Sequence, residues 1–221
     1  MIRHILIIGA LGCRPDPGPA PDYAQIEGEV SNDDIPEGPD PYAEGVPRFS
    51  FGLFYEGGAS EYVPIDDATR FWWIWDEVLG QTFEQTASND VVEGLQSDCI
   101  TVTDLGFWGG GIEWLSGADL SGWTMLHISL KSFDRPMEST EVGLGDLVSG
   151  SGSVNYAFLP VADYGFVADG RWHHVTIPVA DFEALGVQLE DPSLPFALRG
   201  EDTPEGSQIW VDNFYLSQGE L

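Results

Sequence analysis

The chain has 221 residues, 43% of them hydrophobic, which is enough for one large all-β domain, or two small ones, with a real core. Its 37 acidic side chains against eight Lys and Arg give a formal charge of −29. That balance excludes nucleic acid as a partner and disfavours direct docking on anionic headgroups, because a polyanion is repelled at every approach. Neutral ligands, divalent cations and saline surroundings stay compatible with it.

Residues 1–13 read MIRHILIIGALGC, with Arg3 as a basic start, an apolar run and small Gly12 before Cys13. The layout resembles a bacterial lipoprotein signal, which implies that Cys13 is lipidated and that the chain sits on the cell envelope. A competing reading makes the run a strand entering a glycine turn, as in a dinucleotide-binding unit. That unit needs a helix directly afterwards, and Pro15, Pro17 and Pro19 forbid one.

Residues 14–47 form an acidic, proline-rich segment that cannot bury enough apolar surface to offset its ordering, so it is expected to be a disordered tether. Such leaders are also common as low-complexity sequence with no specific job. No apolar stretch beyond residue 13 is long enough to span a bilayer.

From 48 to 218 short apolar or alternating runs are separated by Gly, Asp, Ser and Pro. The pattern predicts strands at 48–56, 70–75, 91–96, 111–115, 124–131, 141–144, 154–159, 172–178, 195–199 and 208–217, with one helical turn at 180–185 capped by Asp181. So many strands with frequent turns point to an all-β, two-sheet antiparallel sandwich. In 124–131, Leu126, Ile128 and Leu130 alternate with His127, Ser129 and Lys131, which gives a core face and a face toward water or ligand. His173 and His174 are adjacent on one strand, so they must point to opposite sides.

Two segments carry a family pattern: Gly170-Arg171-Trp172-His173-His174-Val175-Thr176-Ile177-Pro178 followed by Asp181-Phe182, and Ile209-Trp210-Val211-Asp212-Asn213-Phe214-Tyr215-Leu216. Together with Asp119-Leu120-Ser121-Gly122-Trp123 they resemble the galactose-binding-like jelly rolls that serve as carbohydrate-binding modules, among them the family-11 type and modules appended to bacterial β-glucanases. The resemblance implies non-catalytic binding of a neutral polysaccharide such as a β-glucan or galactan, by a monomer whose membrane contact runs only through its lipid anchor. It also implies a structural Ca²⁺. By period two, Trp210, Asp212, Phe214 and Leu216 share one face, which would place a carboxylate among core residues, where it must be paired or bind a metal. Asp212 and Glu56 are the expected ligands. The alternative for Asp212 is a carboxylate that accepts backbone hydrogen bonds with no ion.

The binding site is expected among the aromatics. Phe71-Trp72-Trp73-Ile74-Trp75 puts rings on both faces of a strand, while Trp108 and Trp114 bracket a glycine triplet. Exposed indoles suit the apolar faces of sugars, although most tryptophans in a fold are core. Trp72, Trp108 and Trp114 are therefore the candidate platforms, with His127, Lys131 and Arg135 as polar partners. The chain lacks the G-x-S-x-G, H-E-x-x-H, P-loop and C-x-x-C motifs. An envelope interaction module on the same fold, or a glycoside hydrolase with two convergent carboxylates, are the competing classes.

Overall fold

The computed structural model describes residues 48–51, 61–63, 70–74, 81–92, 96–103, 106–114, 119–146, 155–190 and 192–218, with the backbone alone at 48–51, 61–63, 70–73 and 114. Cys13 and Glu56 lie outside the described residues, as does the segment 14–47.

Twelve strands are described: β1 (Arg48–Phe51), β2 (Glu61–Val63), β3 (Arg70–Ile74), β4 (Phe83–Ser88), β5 (Ser97–Val102), β6 (Phe107–Trp114), β7 (Met125–Lys131), β8 (Glu141–Asp146), β9 (Asn155–Pro160), β10 (His173–Pro178), β11 (Leu194–Glu201) and β12 (Gln208–Ser217). They form two sheets, as the strand pattern predicts. A seven-stranded sheet runs β10-β7-β12-β1-β2, with β5 also against β12 and β4 outside β5. A five-stranded sheet runs β3-β6-β11-β8-β9. Among the described residues every pairing is antiparallel except β1 with β2. At ten residues β12 is long enough to serve two neighbours on one edge: Gln208 to Val211 pair with β5, and Tyr215 to Ser217 with β1.

The core fills the space between the sheets with alternate residues of each strand, the geometry expected of face-to-face packing. Leu126, Ile128 and Leu130 of β7 and Val175 and Ile177 of β10 meet Trp108 and Ile112 of β6, Val142 and Leu144 of β8 and Phe196 and Leu198 of β11 in one buried cluster.

β12 breaks the simple alternation. Its core residues are Ile209 and Val211, then Phe214 and Leu216, so the parity changes midway. The register against β7 shows why: Asp212 pairs with Ser129 and Tyr215 with His127, three residues against two. This is a bulge, with Asn213 in the left-handed region at φ 56. The expected common face of Trp210, Asp212, Phe214 and Leu216 is therefore corrected. Asp212 and Trp210 pair with Ser129 and Lys131, on the side of β7 opposite to the core, and Phe214 and Leu216 face inward.

Other departures are local. The expected strand at 91–96 gives way to a loop at Val91, Val92 and Gln96, while β4 and β5 form a hairpin whose first strand reads as polar, Phe-Glu-Gln-Thr-Ala-Ser. The helical turn is real, α1 (Val179–Ala184), but Pro178 is its N-cap and no side chain caps it. Asp181 instead accepts a hydrogen bond from the Tyr164 hydroxyl at 2.8 Å.

Candidate functional site

The five-stranded sheet carries a cross-strand row of unusual composition. Trp73, Gly111, Ala197, Gly143 and Phe158 are successive register partners from β3 through β6, β11 and β8 to β9. Ala197 alternates with the core residues Phe196 and Leu198, so the row lies on the outer face. Small residues hold its middle and aromatic residues its two ends. The consequence is visible at Gly143: a Cβ there would collide with the Phe158 ring, which lies down over the glycine. With a larger residue on β8 the ring could not lie there.

Around Phe158 the outer face gathers the groups that a sugar needs. The Arg199 guanidinium lies 4.1 Å from the Phe158 centroid. Its Nε donates to Glu141 Oε2 on the neighbouring strand, and the two side chains keep 28% and 25% of their surface exposed. Tyr156, two residues along β9, meets Phe158 edge-on at 5.5 Å and is 38% exposed. Ring faces offer stacking surface, the guanidinium fork offers fixed donors, and Glu141 offers acceptors. Such an arrangement has the chemistry to take a neutral polyhydroxylated chain by stacking and hydrogen bonds. Sequence reading missed these residues because only the register brings β8, β9 and β11 side by side.

The residues singled out from the sequence do not form one site. Trp72 pairs with the core residue Ile112, and Trp114 with Arg70, but the side chains of both tryptophans are outside the described set. Trp108 is core rather than platform: it is fully buried, its Nε1 donates to Thr203 Oγ1 at 3.1 Å, and Phe83 meets it edge-on at 6.0 Å. His127 and Lys131 belong to the other sheet. Their strand does turn them away from the core, but they do not meet solvent as expected. His127 is completely buried, stacked 4.4 Å from Tyr215 and 5.2 Å from His174, with Nε2 bonded to Ser217 Oγ at 2.8 Å. Lys131 is ion-paired with Asp90 at 2.7 Å. Arg135 is exposed and opens a 3₁₀ turn (Arg135–Ser139). His173 and His174 do face opposite sides: His174 reaches Ser129 and His127, whereas His173 bonds Asp169 at 2.9 Å.

The calcium expectation has one observable half. Asp212 is buried, and its Oδ2 accepts the Val92 amide at 2.7 Å across 120 residues of sequence, which is the backbone-tie role open to it from the start. Among the described residues no group of three or more His, Cys, Asp or Glu is placed to share an ion. The described residues alone therefore do not compose a calcium site.

The sequence profile of carbohydrate binding domain 30 matches residues 61–218. Among solved structures, the family 30 carbohydrate-binding module of a cellulosomal cellulase of Clostridium thermocellum superposes with a TM-score of 0.51 at 18% identity, covering 70% of this chain and 95% of that one. A second family 30 module gives a TM-score of 0.50 at 15% identity, over 66% and 78% of the two chains. A family 11 module from Clostridium thermocellum, solved with a β-1,3-1,4-mixed-linked tetrasaccharide, gives 0.44 at 13% identity, over 69% and 90%. No curated protein matches the chain.

Proposed function

Because the chain belongs to the carbohydrate binding domain 30 family, we propose that it binds a neutral polysaccharide without cleaving it, on the outer face of the five-stranded sheet. The observation that carries the reading is the row from Trp73 to Phe158, with Phe158 lying over Gly143 and flanked by Tyr156, Arg199 and Glu141. The charge of −29 disfavours sulfated or uronic-acid polymers and leaves β-glucans or galactans as the favoured ligands. Stacking on a small open platform gives weak binding per site, roughly micromolar to millimolar, because ligand ordering offsets part of the gain. Affinity electrophoresis against a panel of neutral β-glucans and galactans tests it. Phe158→Ala and Arg199→Ala should each reduce the retardation while the melting curve shows a folded protein. A panel that fails to retard the wild type removes the reading, and folded variants that bind like wild type remove the site.

The setting is part of the same proposal. Lipidation at Cys13 holds the module, as a monomer, at a bacterial cell surface, with residues 14–47 as the spacer. Cys13→Ser should release the protein from membrane fractions, and an unchanged partition with no added mass on the wild-type chain refutes the anchor. The Ca²⁺ proposal now requires Glu56 and further ligands to join Asp212. A chelator should then lower the melting temperature, since an ion bound only to the folded chain stabilises it by mass action. Melting curves indifferent to the chelator dispose of the ion.

A further inference from the structure

We propose that the seven-stranded sheet carries a second, independent sugar-binding site on its outer side, formed by Phe133, Trp210 and the Asp90 carboxylate; the ligand class rests on the carbohydrate-binding reading above.

Phe133 is 65% exposed in a chain that buries Trp108 and Trp172 almost completely. The exposed ring is nevertheless pinned. It meets the half-buried Trp210 edge-on, at 85° and 6.0 Å. Its inner side rests on Gly170, at φ +83, where any Cβ would collide with the ring. Gly170 is in turn tied to the residue after β7, its N–H donating a hydrogen bond to the Ser132 carbonyl at 2.8 Å. A fixed aromatic ring with one side open to water is a stacking surface already ordered before a ligand arrives.

The polar half of the site is equally fixed. Lys131 Nζ lies 5.6 Å from the Phe133 centroid and 5.9 Å from Trp172. It donates to Asp90 Oδ2 at 2.7 Å, and Trp172 Nε1 donates to Asp90 Oδ1 at 2.9 Å. Two donors thus orient one carboxylate, whose side chain keeps 39% of its surface while Lys131 keeps 11%. Each carboxylate oxygen has capacity for a second hydrogen bond, which suits vicinal hydroxyls. The cation is consumed by Asp90, so the site offers an anion nothing. One open ring beside a half-buried one is also too small a patch for a stable protein interface. A pyranose fits both halves, with its C–H face on Phe133 and its hydroxyls toward Asp90.

The Trp172 and Trp210 indole N–H signals are built-in reporters for a nuclear magnetic resonance titration of the full chain with cellotetraose, laminaritetraose and a galactotetraose. In a Phe158→Ala background, which disables the first site, at least one of these should still move both indole signals in the millimolar range. Phe133→Ala should weaken that response roughly three- to tenfold, in line with the loss of one stacking contact, and Phe133→Tyr should restore it. In the chain that keeps Phe158, signals of the five-stranded sheet that move while both indoles stay still overturn this site alone. Indole shifts indifferent to Phe133→Ala overturn it as well. If neither sheet responds to any of the three sugars, both sites fall together.

Discussion

Single residues here divide into those that hold the sandwich and those that can meet a ligand, and burial separates them. Trp108 is fully enclosed and hydrogen-bonded to Thr203. Trp108→Ala should cost about 3–5 kcal/mol through the lost transfer energy and the cavity left behind. Sugar affinity of the fraction that stays folded should not change, and denaturant titration paired with affinity electrophoresis reads both effects. Tyr164 offers a test through pH. Burial first, and the Asp181 carboxylate second, push its hydroxyl from 10.0 up to about 12. A raised pKa means that the folded state favours the neutral phenol. Its contribution is therefore complete below about pH 10 and is lost as pH rises toward 12. Tyr164→Phe should flatten that alkaline limb of the melting-temperature profile, and an identical profile would remove the assignment. Asp169 has the opposite sign: its hydrogen bond from His173 and the Arg171 amide hold its carboxyl below the ordinary range, so that small exposed contribution fades only in acid.

Among the elements, β12 decides most. Its bulge turns Asp212 toward the outer side of the sheet and Phe214 inward, and Asn213 takes the left-handed conformation that makes this possible. Few side chains adopt that region at low cost, Asn being one and Gly the easiest. The Asn213 side-chain Nδ2 is also buried with no hydrogen-bond partner. Asn213→Gly should accordingly be neutral or slightly stabilising, whereas Asn213→Val should cost about 1–3 kcal/mol from backbone strain. Equal melting temperatures for the two variants would show that the bulge does not need the left-handed residue. The β8–β9 pair behaves in the same position-specific way. Gly143→Ala places a methyl where the Phe158 ring now lies, so it should lift the ring from the sheet and weaken polysaccharide retardation with little change in the core.

For the whole molecule, the two sheets present different outer faces. The five-stranded one carries Tyr156, Phe158, Arg199 and Glu141; the seven-stranded one carries a buried His127–His174–Tyr215 stack and, at one end, Phe133 with Lys131 and Asp90. A long polysaccharide that engages both faces, or cross-links modules, should be retarded more strongly than any tetrasaccharide affinity implies, since a tethered second contact is intramolecular. Stacking and hydrogen bonds to an uncharged ligand should also make binding nearly independent of salt, whereas a steep loss of affinity with ionic strength would point to charge as the driving term.

Composition and alternation were enough to determine the two-sheet sandwich, because period-two patterning in segments such as 124–131 assigns a core face whatever the neighbours are. The family pattern in 170–182 and 209–216 was legible for the same reason: it sits in β10, α1 and β12, whose apolar residues are dictated by the core. The site was not legible. Trp108 and Phe133 are both aromatic, but whether a ring is enclosed or open depends on which strands the fold brings over it. Period two assumes an unbroken strand, so one extra residue at Asn213 was enough to misplace Asp212. The row from Trp73 to Phe158 joins five strands of which only β8 and β9 are consecutive in sequence, and only the register of the folded sheet makes neighbours of the others.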